Sequence, residues 1–124
     1  MEFVATPNAP AAIGPYSQGV ISHGVLYTSG QVALDPATGN LVEGDFAKQA
    51  RRVFDNLSAV LTAAGTSFSN VLKATVFVTD LANFATLNAI YAEYFGSHKP
   101  ARTTVQVSGL PKGAQVEIDL VAVV

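Results

Sequence analysis

Arg102 stands near the start of the run Pro100-Ala101-Arg102-Thr103-Thr104-Val105-Gln106-Val107, a β-branched segment where an apolar residue would be ordinary. A guanidinium there is costly to desolvate unless an anion meets it. Its planar fork suits a carboxylate gripped through two parallel hydrogen bonds. Further along, Glu117 interrupts the apolar run Val116-Glu117-Ile118-Asp119-Leu120. A carboxylate set in such a strand can take up and return a proton. A cation for a carboxylate and an acid for proton traffic are enough for chemistry on a small organic acid. Structural ion pairs place the same residue types in strands, and the residues alone leave both readings open.

Three further polar groups sit where packing alone would not put them. Ile13-Gly14-Pro15-Tyr16-Ser17-Gln18 is a rigid turn carrying the Tyr16 phenol. Thr28-Ser29-Gly30-Gln31 places a glycine inside or at the end of a strand, which suits a bulge or a backbone approached closely. Asn88 falls in an aromatic stripe, and its amide must either tie down a neighbouring loop or face a pocket. The Gly-x-Gly-x-x-Gly and Walker loops are absent, as are the Gly-x-Ser-x-Gly elbow and the His-Glu-x-x-His pair. With no cysteine there is no thiolate nucleophile and no disulfide. His23 and His98 are the only histidines and lack ligand spacing, so no metal and no cofactor are expected.

The elements that must position these groups follow from periodicity. Gln18 to Ser22 and Val25 to Val32 read as strands joined at His23-Gly24, with a turn-rich loop over Asp35 to Asn40. Asp45 is a helix N-cap. Behind it Phe46, Ala50, Val53, Phe54, Leu57, Val60, Leu61 and Ala64 recur at three- and four-residue steps until Gly65. Lys48, Arg51, Arg52 and Asp55 lie off that stripe, on a solvated face. Val71 to Thr79 is a strand with Leu72, Ala74, Val76 and Val78 inward. A second helix spans about Asn83 to Phe95, with Phe84, Leu87, Asn88, Tyr91, Tyr94 and Phe95 as its stripe. Strands alternating with helices imply crossovers with both helices on one sheet. The connection from Ser108 to Gln115 is too long for a tight hairpin, so the last strand need not pair with the one before it. If those two did pair, Arg102 would lie several residues along the sheet from Glu117, and a pocket between subunits would resolve the difficulty.

Composition narrows the class. The chain has 124 residues, enough for one domain. Charged residues are 13% and hydrophobic ones 49%, which is more apolar surface than a small monomer readily hides, so a homo-oligomer is expected. A net charge of −2 without a basic stripe disfavours nucleic acid as a partner. Neither a signal peptide nor a membrane span is legible, which points to the cytoplasm.

Taken in order, these segments resemble the RidA family (reactive intermediate/imine deaminase A, also called YjgF-like). The resemblance runs through Ile13–Gln18, Leu26–Gln31, Asn56-Leu57 to Gly65, Val76–Leu81, Phe84–Asn88, Pro100–Thr103, Gly109-Leu110-Pro111 and Val116-Glu117-Ile118. It covers nearly the whole chain, 1–124, as one RidA-like domain.

The resemblance implies an α+β, chorismate-mutase-like fold, with a mixed six-stranded sheet and two helices on one face. It also implies a homotrimer with its sites at subunit interfaces, and a last strand inserted between earlier ones. The implied activity is hydrolysis of reactive 2-imino acids (2-iminobutanoate, 2-iminopropanoate) and their enamine tautomers to 2-keto acids and ammonium. These intermediates leave pyridoxal-phosphate-dependent dehydratases. Carried over by position, Arg102 and Glu117 are catalytic: one holds the substrate carboxylate, the other positions water. Tyr16, Ser29, Gly30, Asn88 and Thr104 join Arg102 in substrate binding. Many active members carry cysteine where this chain has Thr104, so sulfur chemistry is not open to it. Two other roles attach to the family: a keto-acid-binding or chaperone-like trimer without turnover, and an endoribonuclease.

Overall fold

The computed structural model describes residues 1–124, and Asp45 opens its longer helix as the sequence predicts. The Asp45 side chain accepts a hydrogen bond from the Lys48 backbone N–H at 3.0 Å. Helix α1 (Phe46–Ala63) buries the expected face through Leu61, and Gly65, at φ +82°, turns the chain out of it. Helix α2 (Phe84–Phe95) ends at Gly96, whose φ of +61° likewise favours glycine.

Six strands form one mixed sheet: β1 (Glu2–Val4), β2 (Gly19–Ser22), β3 (Val25–Thr28), β4 (Val71–Val78), β5 (Ala101–Gln106) and β6 (Val116–Val123). Their order across the sheet is β1-β2-β3-β6-β4-β5. β6 runs antiparallel to both β3 and β4, and β5 lies parallel to β4 at the edge. The last strand thus slots between β3 and β4 instead of pairing with its predecessor. Parallel strands need long crossovers, and α1 and α2 provide them on one face of the sheet. Val76, Ile118, Leu120, Phe54 and Leu57 pack between the layers and are fully or almost fully buried. Neither helix is long and apolar enough to cross a membrane.

Three expectations need correction, and one strand was not foreseen. The strand read over Val25 to Val32 stops at Thr28, because Ser29 bonds the neighbouring loop and leaves the ladder; Gln31 then returns as a lone bridge to Ile118. Leu72 is 50% exposed: a register irregularity between Val71 and Lys73 shifts the alternation, and Val71 takes the core position. The α2 stripe is centred on Leu87, Ile90 and Phe95, which rotates Phe84 to the surface and leaves Asn88 half-buried at its margin. Glu2–Val4 forms an edge strand on β2 that short-range periodicity does not reveal.

One buried amide ties the helix layer to the loop that follows Gly30. Asn56 is fully buried; its Nδ2 donates to the carbonyls of Val32 (3.3 Å) and Leu34 (2.9 Å), and its Oδ1 accepts from Arg52 Nε at 3.0 Å. Asn56→Leu strands those buried carbonyls. It is expected to lower unfolding free energy by about 1–3 kcal/mol, read as a lower urea midpoint at unchanged m-value.

Candidate active site

The strand register sorts the seven residues singled out from sequence into two groups. Arg102 pairs with Ala74 and Thr104 with Val76, so both side chains leave the sheet on the helix-covered face. Glu117 pairs with Phe77, on the opposite face. Within one chain, therefore, the sheet itself separates the guanidinium from the carboxylate.

On the helix side, Arg102 is half-buried at the edge strand. Its guanidinium carbon lies 5.4 Å from the centroid of the Phe84 ring and 4.9 Å from that of Tyr91. The single ion pair of the chain is Arg51–Glu93, at 3.0 Å, so Arg102 has no carboxylate partner. Phe84, Asn88 and Tyr91 follow one another at four- and three-residue steps along α2, which places Asn88 on the face that meets Arg102. Thr104 Oγ1 and Tyr91 Oη are both buried without a hydrogen-bond partner. Burial raises the Tyr91 hydroxyl above the usual phenol range, against the opposing pull of the Arg102 charge. A cleft of about 210 Å³, lined by Tyr91, Phe95, His98, Lys99, Pro100 and Arg102, opens beside the guanidinium. Larger surface hollows lie along the polar face of α1 and between β1 and the Tyr16 turn, but only this one contains Arg102.

The second group gathers around the end of β3. Ser29 Oγ donates to the Ser17 carbonyl at 2.5 Å, and the Ser29 N–H donates to the Gln18 carbonyl at 3.0 Å. These bonds fix the turn carrying the exposed Tyr16 ring. Gln18 staples that turn from beneath, accepting from the Thr6 N–H at 2.7 Å and donating to the Pro10 carbonyl at 2.9 Å. Gly30 lies against Glu117 so closely that a Cβ there would sit 2.6 Å from Oε2. The close approach inferred from a glycine near a strand end is therefore made to a carboxylate. Burial raises Glu117 above the ordinary carboxylate range, and the like charge of Asp119 on the same face adds to the rise. Asp119 is raised by burial too, although a Thr75 hydrogen bond and Lys73 pull it back. Both acids are half-buried.

The sequence did not mark Phe84 and Tyr91 as partners of Arg102. Their spacing around Asn88 is the signal that was available. No cluster of three or more His, Cys, Asp or Glu side chains converges as a metal site.

Chemically, one face offers a guanidinium fork without an ion-pair partner, with the orphaned Thr104 hydroxyl on the same strand face. The other offers a carboxyl of raised proton affinity, walled by a glycine backbone.

The endoribonuclease L-PSP family model matches residues 6–124. A 2-iminobutanoate/2-iminopropanoate deaminase from Bos taurus is 48% identical over 122 residues, covering 98% of this chain and 89% of that protein. The Rid-family protein YyfA of Yersinia pestis is 51% identical and superposes with a TM-score of 0.97, over 99% of this chain and 98% of that one. TdcF of E. coli, solved with bound serine, is 42% identical with a TM-score of 0.94, over 100% of this chain and 99% of that one. With its mixed sheet, inserted last strand and full-length similarity, the chain belongs to the endoribonuclease L-PSP family, the RidA/YjgF proteins.

Proposed function

We propose that this protein is a 2-iminobutanoate/2-iminopropanoate deaminase, hydrolysing reactive 2-imino acids to 2-keto acids and ammonium in clefts between copies of itself. The observation that carries the reading is Arg102, a cation stacked on two rings with no anion of its own. An arginine with no carboxylate partner keeps the edges of its fork available to a ligand carboxylate. The activity named for the bovine relative, at 48% identity, supports the same reaction class.

Separation of Arg102 and Glu117 by the sheet supports a shared site. One small ligand cannot touch both in one chain, so Arg102, Asn88 and Thr104 of one copy meet Tyr16, Ser29, Gly30 and Glu117 of another. A homotrimer closes such contacts into a ring with three equivalent clefts. The exposed apolar residues Phe3, Tyr27, Leu72 and Val105 are consistent with burial between copies.

In the reaction, Arg102 holds the substrate carboxylate in its fork and fixes the iminium carbon. Water attacks that carbon while Glu117 accepts a proton, giving a carbinolamine. Glu117 returns the proton to nitrogen, the C–N bond breaks, and the hydroxyl proton leaves with the amine as ammonium. The carbon is already electrophilic, so positioning and proton transfer suffice. Asn88, Tyr16 and the Ser29-Gly30 backbone line the pocket, and the Thr104 hydroxyl is free to donate to the ligand.

The test is a threonine dehydratase reaction run with semicarbazide as an imine trap. Adding the protein is expected to lower the trapped semicarbazone in proportion to its concentration; an unchanged yield overturns the reading. Gly30→Ala separates chemistry from folding in the same assay. Its new methyl meets only side-chain atoms of Glu117, from Cγ to Oε2, and displaces the carboxylate without touching backbone, so activity is expected to fall at least about tenfold while the thermal midpoint moves little.

A further inference from the structure

The proposed reaction leaves open how an unpaired arginine on the outermost strand is kept in one orientation. Arg102 belongs to β5, which has a neighbour on one side only, and no carboxylate fixes its fork. A long, flexible side chain in that position would sample many rotamers and lose that freedom on each binding event. What it does have is aromatic: the rings of Phe84 and Tyr91, one α-helical face, at 5.4 and 4.9 Å. Stacking on a ring face leaves the N–H edges of a guanidinium free, whereas an ion pair would occupy them.

We propose that Phe84 and Tyr91 form an aromatic clamp that holds Arg102 in its carboxylate-binding orientation, which makes them positioning residues for the deaminase; the inference rests on the reading of Arg102 given above. Tyr91 is itself immobilised. It stacks on Phe95 with centroids 4.3 Å apart and meets the fully buried Phe54 edge-on at 5.8 Å. Through these rings the guanidinium is referenced to the packed interior instead of to a mobile surface partner. Phe84 is 41% exposed, an unfavourable place for a large apolar ring unless its face is in use. The Tyr91 hydroxyl makes no hydrogen bond within the chain, so the contact to the guanidinium is made by the ring alone.

The test compares wild type with Phe84→Leu, Tyr91→Leu and Tyr91→Phe. The ligand-free proteins are read by NMR for the ring-current shift of the Arg102 Nε–H and δ protons. The same proteins are then titrated with 2-ketobutyrate and assayed for deamination. Each leucine variant is expected to lose its ring's share of the upfield shift and to bind 2-ketobutyrate about 3- to 30-fold more weakly. KM should rise more than kcat falls. Tyr91→Phe should retain the shift, the affinity and the rate, a rescue that a hydroxyl role or simple misfolding would not give. The clamp is overturned if both leucine variants bind 2-ketobutyrate as wild type does, or if Tyr91→Phe loses as much as Tyr91→Leu. Phe84→Leu, at a surface position, keeps the test decisive should Tyr91→Leu fail to fold. Were wild type to show neither deamination nor keto-acid binding, the functional reading would fall, while the NMR shift would still report whether the rings hold the guanidinium.

Discussion

Arg102→Ala is expected to lower kcat/KM for 2-iminobutanoate by about 30-fold or more while lowering the melting midpoint by no more than about 4–8 °C. Removing one partner of a desolvated, bidentate charge pair typically costs about 2–5 kcal/mol, and about 1.4 kcal/mol is tenfold in affinity. The fold loses less. Arg102 has no ion pair to break, and its contacts to Phe84 and Tyr91 are two cation–ring interactions, each worth about 0.5–1 kcal/mol at a partly exposed site. This asymmetry separates a ligand-binding arginine from a structural one, whose loss would cost stability first. Arg102→Lys should recover little, since an ammonium supplies charge without a planar fork and stacks less well on the rings. Steady-state kinetics on imine generated in situ, with thermal melts of the same proteins, give both numbers. A variant that melts well below wild type yet turns over normally would sink the carboxylate-fork role.

Glu117→Gln carries the other large effect. Loss of a general acid–base group lowers rate by about 10²–10⁴-fold, and because the amide keeps the shape of the side chain, binding of 2-ketobutyrate should change only a few-fold. The pH dependence has a defined sign. Burial and the Asp119 charge raise the Glu117 pKa, and water activation needs the deprotonated form, so the acid limb of the rate profile should lie above the ordinary carboxylate range. Asp119→Asn removes the like charge and should move that limb to lower pH. Stability runs the opposite way. A carboxyl whose folded pKa is raised favours the native state below its unfolded pKa, and that contribution is lost as pH rises through the folded value. Glu117→Gln should therefore raise the melting temperature at neutral pH, and the gain should shrink to nothing in acid, where wild type is itself protonated. A gain that persisted unchanged in acid would mean that the ionised carboxylate is not the destabilising group.

Much of the architecture was legible because it rests on short-range regularities. The α1 stripe and the Asp45 cap depend only on neighbours within a turn or two, and both stand as read. Where a single irregular residue resets the phase, periodicity misleads: the slip between Val71 and Lys73 turns Leu72 outward, and Ser29 leaves its ladder for the Ser17 carbonyl. The α2 stripe was misplaced for a related reason. Aromatic residues occur both at its buried centre and at its rim, and only contact with the neighbouring layer tells Phe95 from Phe84. The insertion of the last strand between β3 and β4 came from family resemblance, since strand order is a property of contacts distant along the chain.

By itself the sequence determined which groups are out of place: a guanidinium and a carboxylate in apolar strands, an amide among rings, a glycine at a strand end. Burying the three polar groups without partners is unfavourable, and a glycine weakens a strand, so residue type and local pattern suffice to flag them. Which face of the sheet each one takes, and what lies against it, was decided only in three dimensions. A one-residue change of register moves a side chain to the other face, and register is set by pairing between segments far apart in the chain. That pairing sends Arg102 to the Phe84 and Tyr91 rings and Glu117 to the Gly30 backbone on the opposite side.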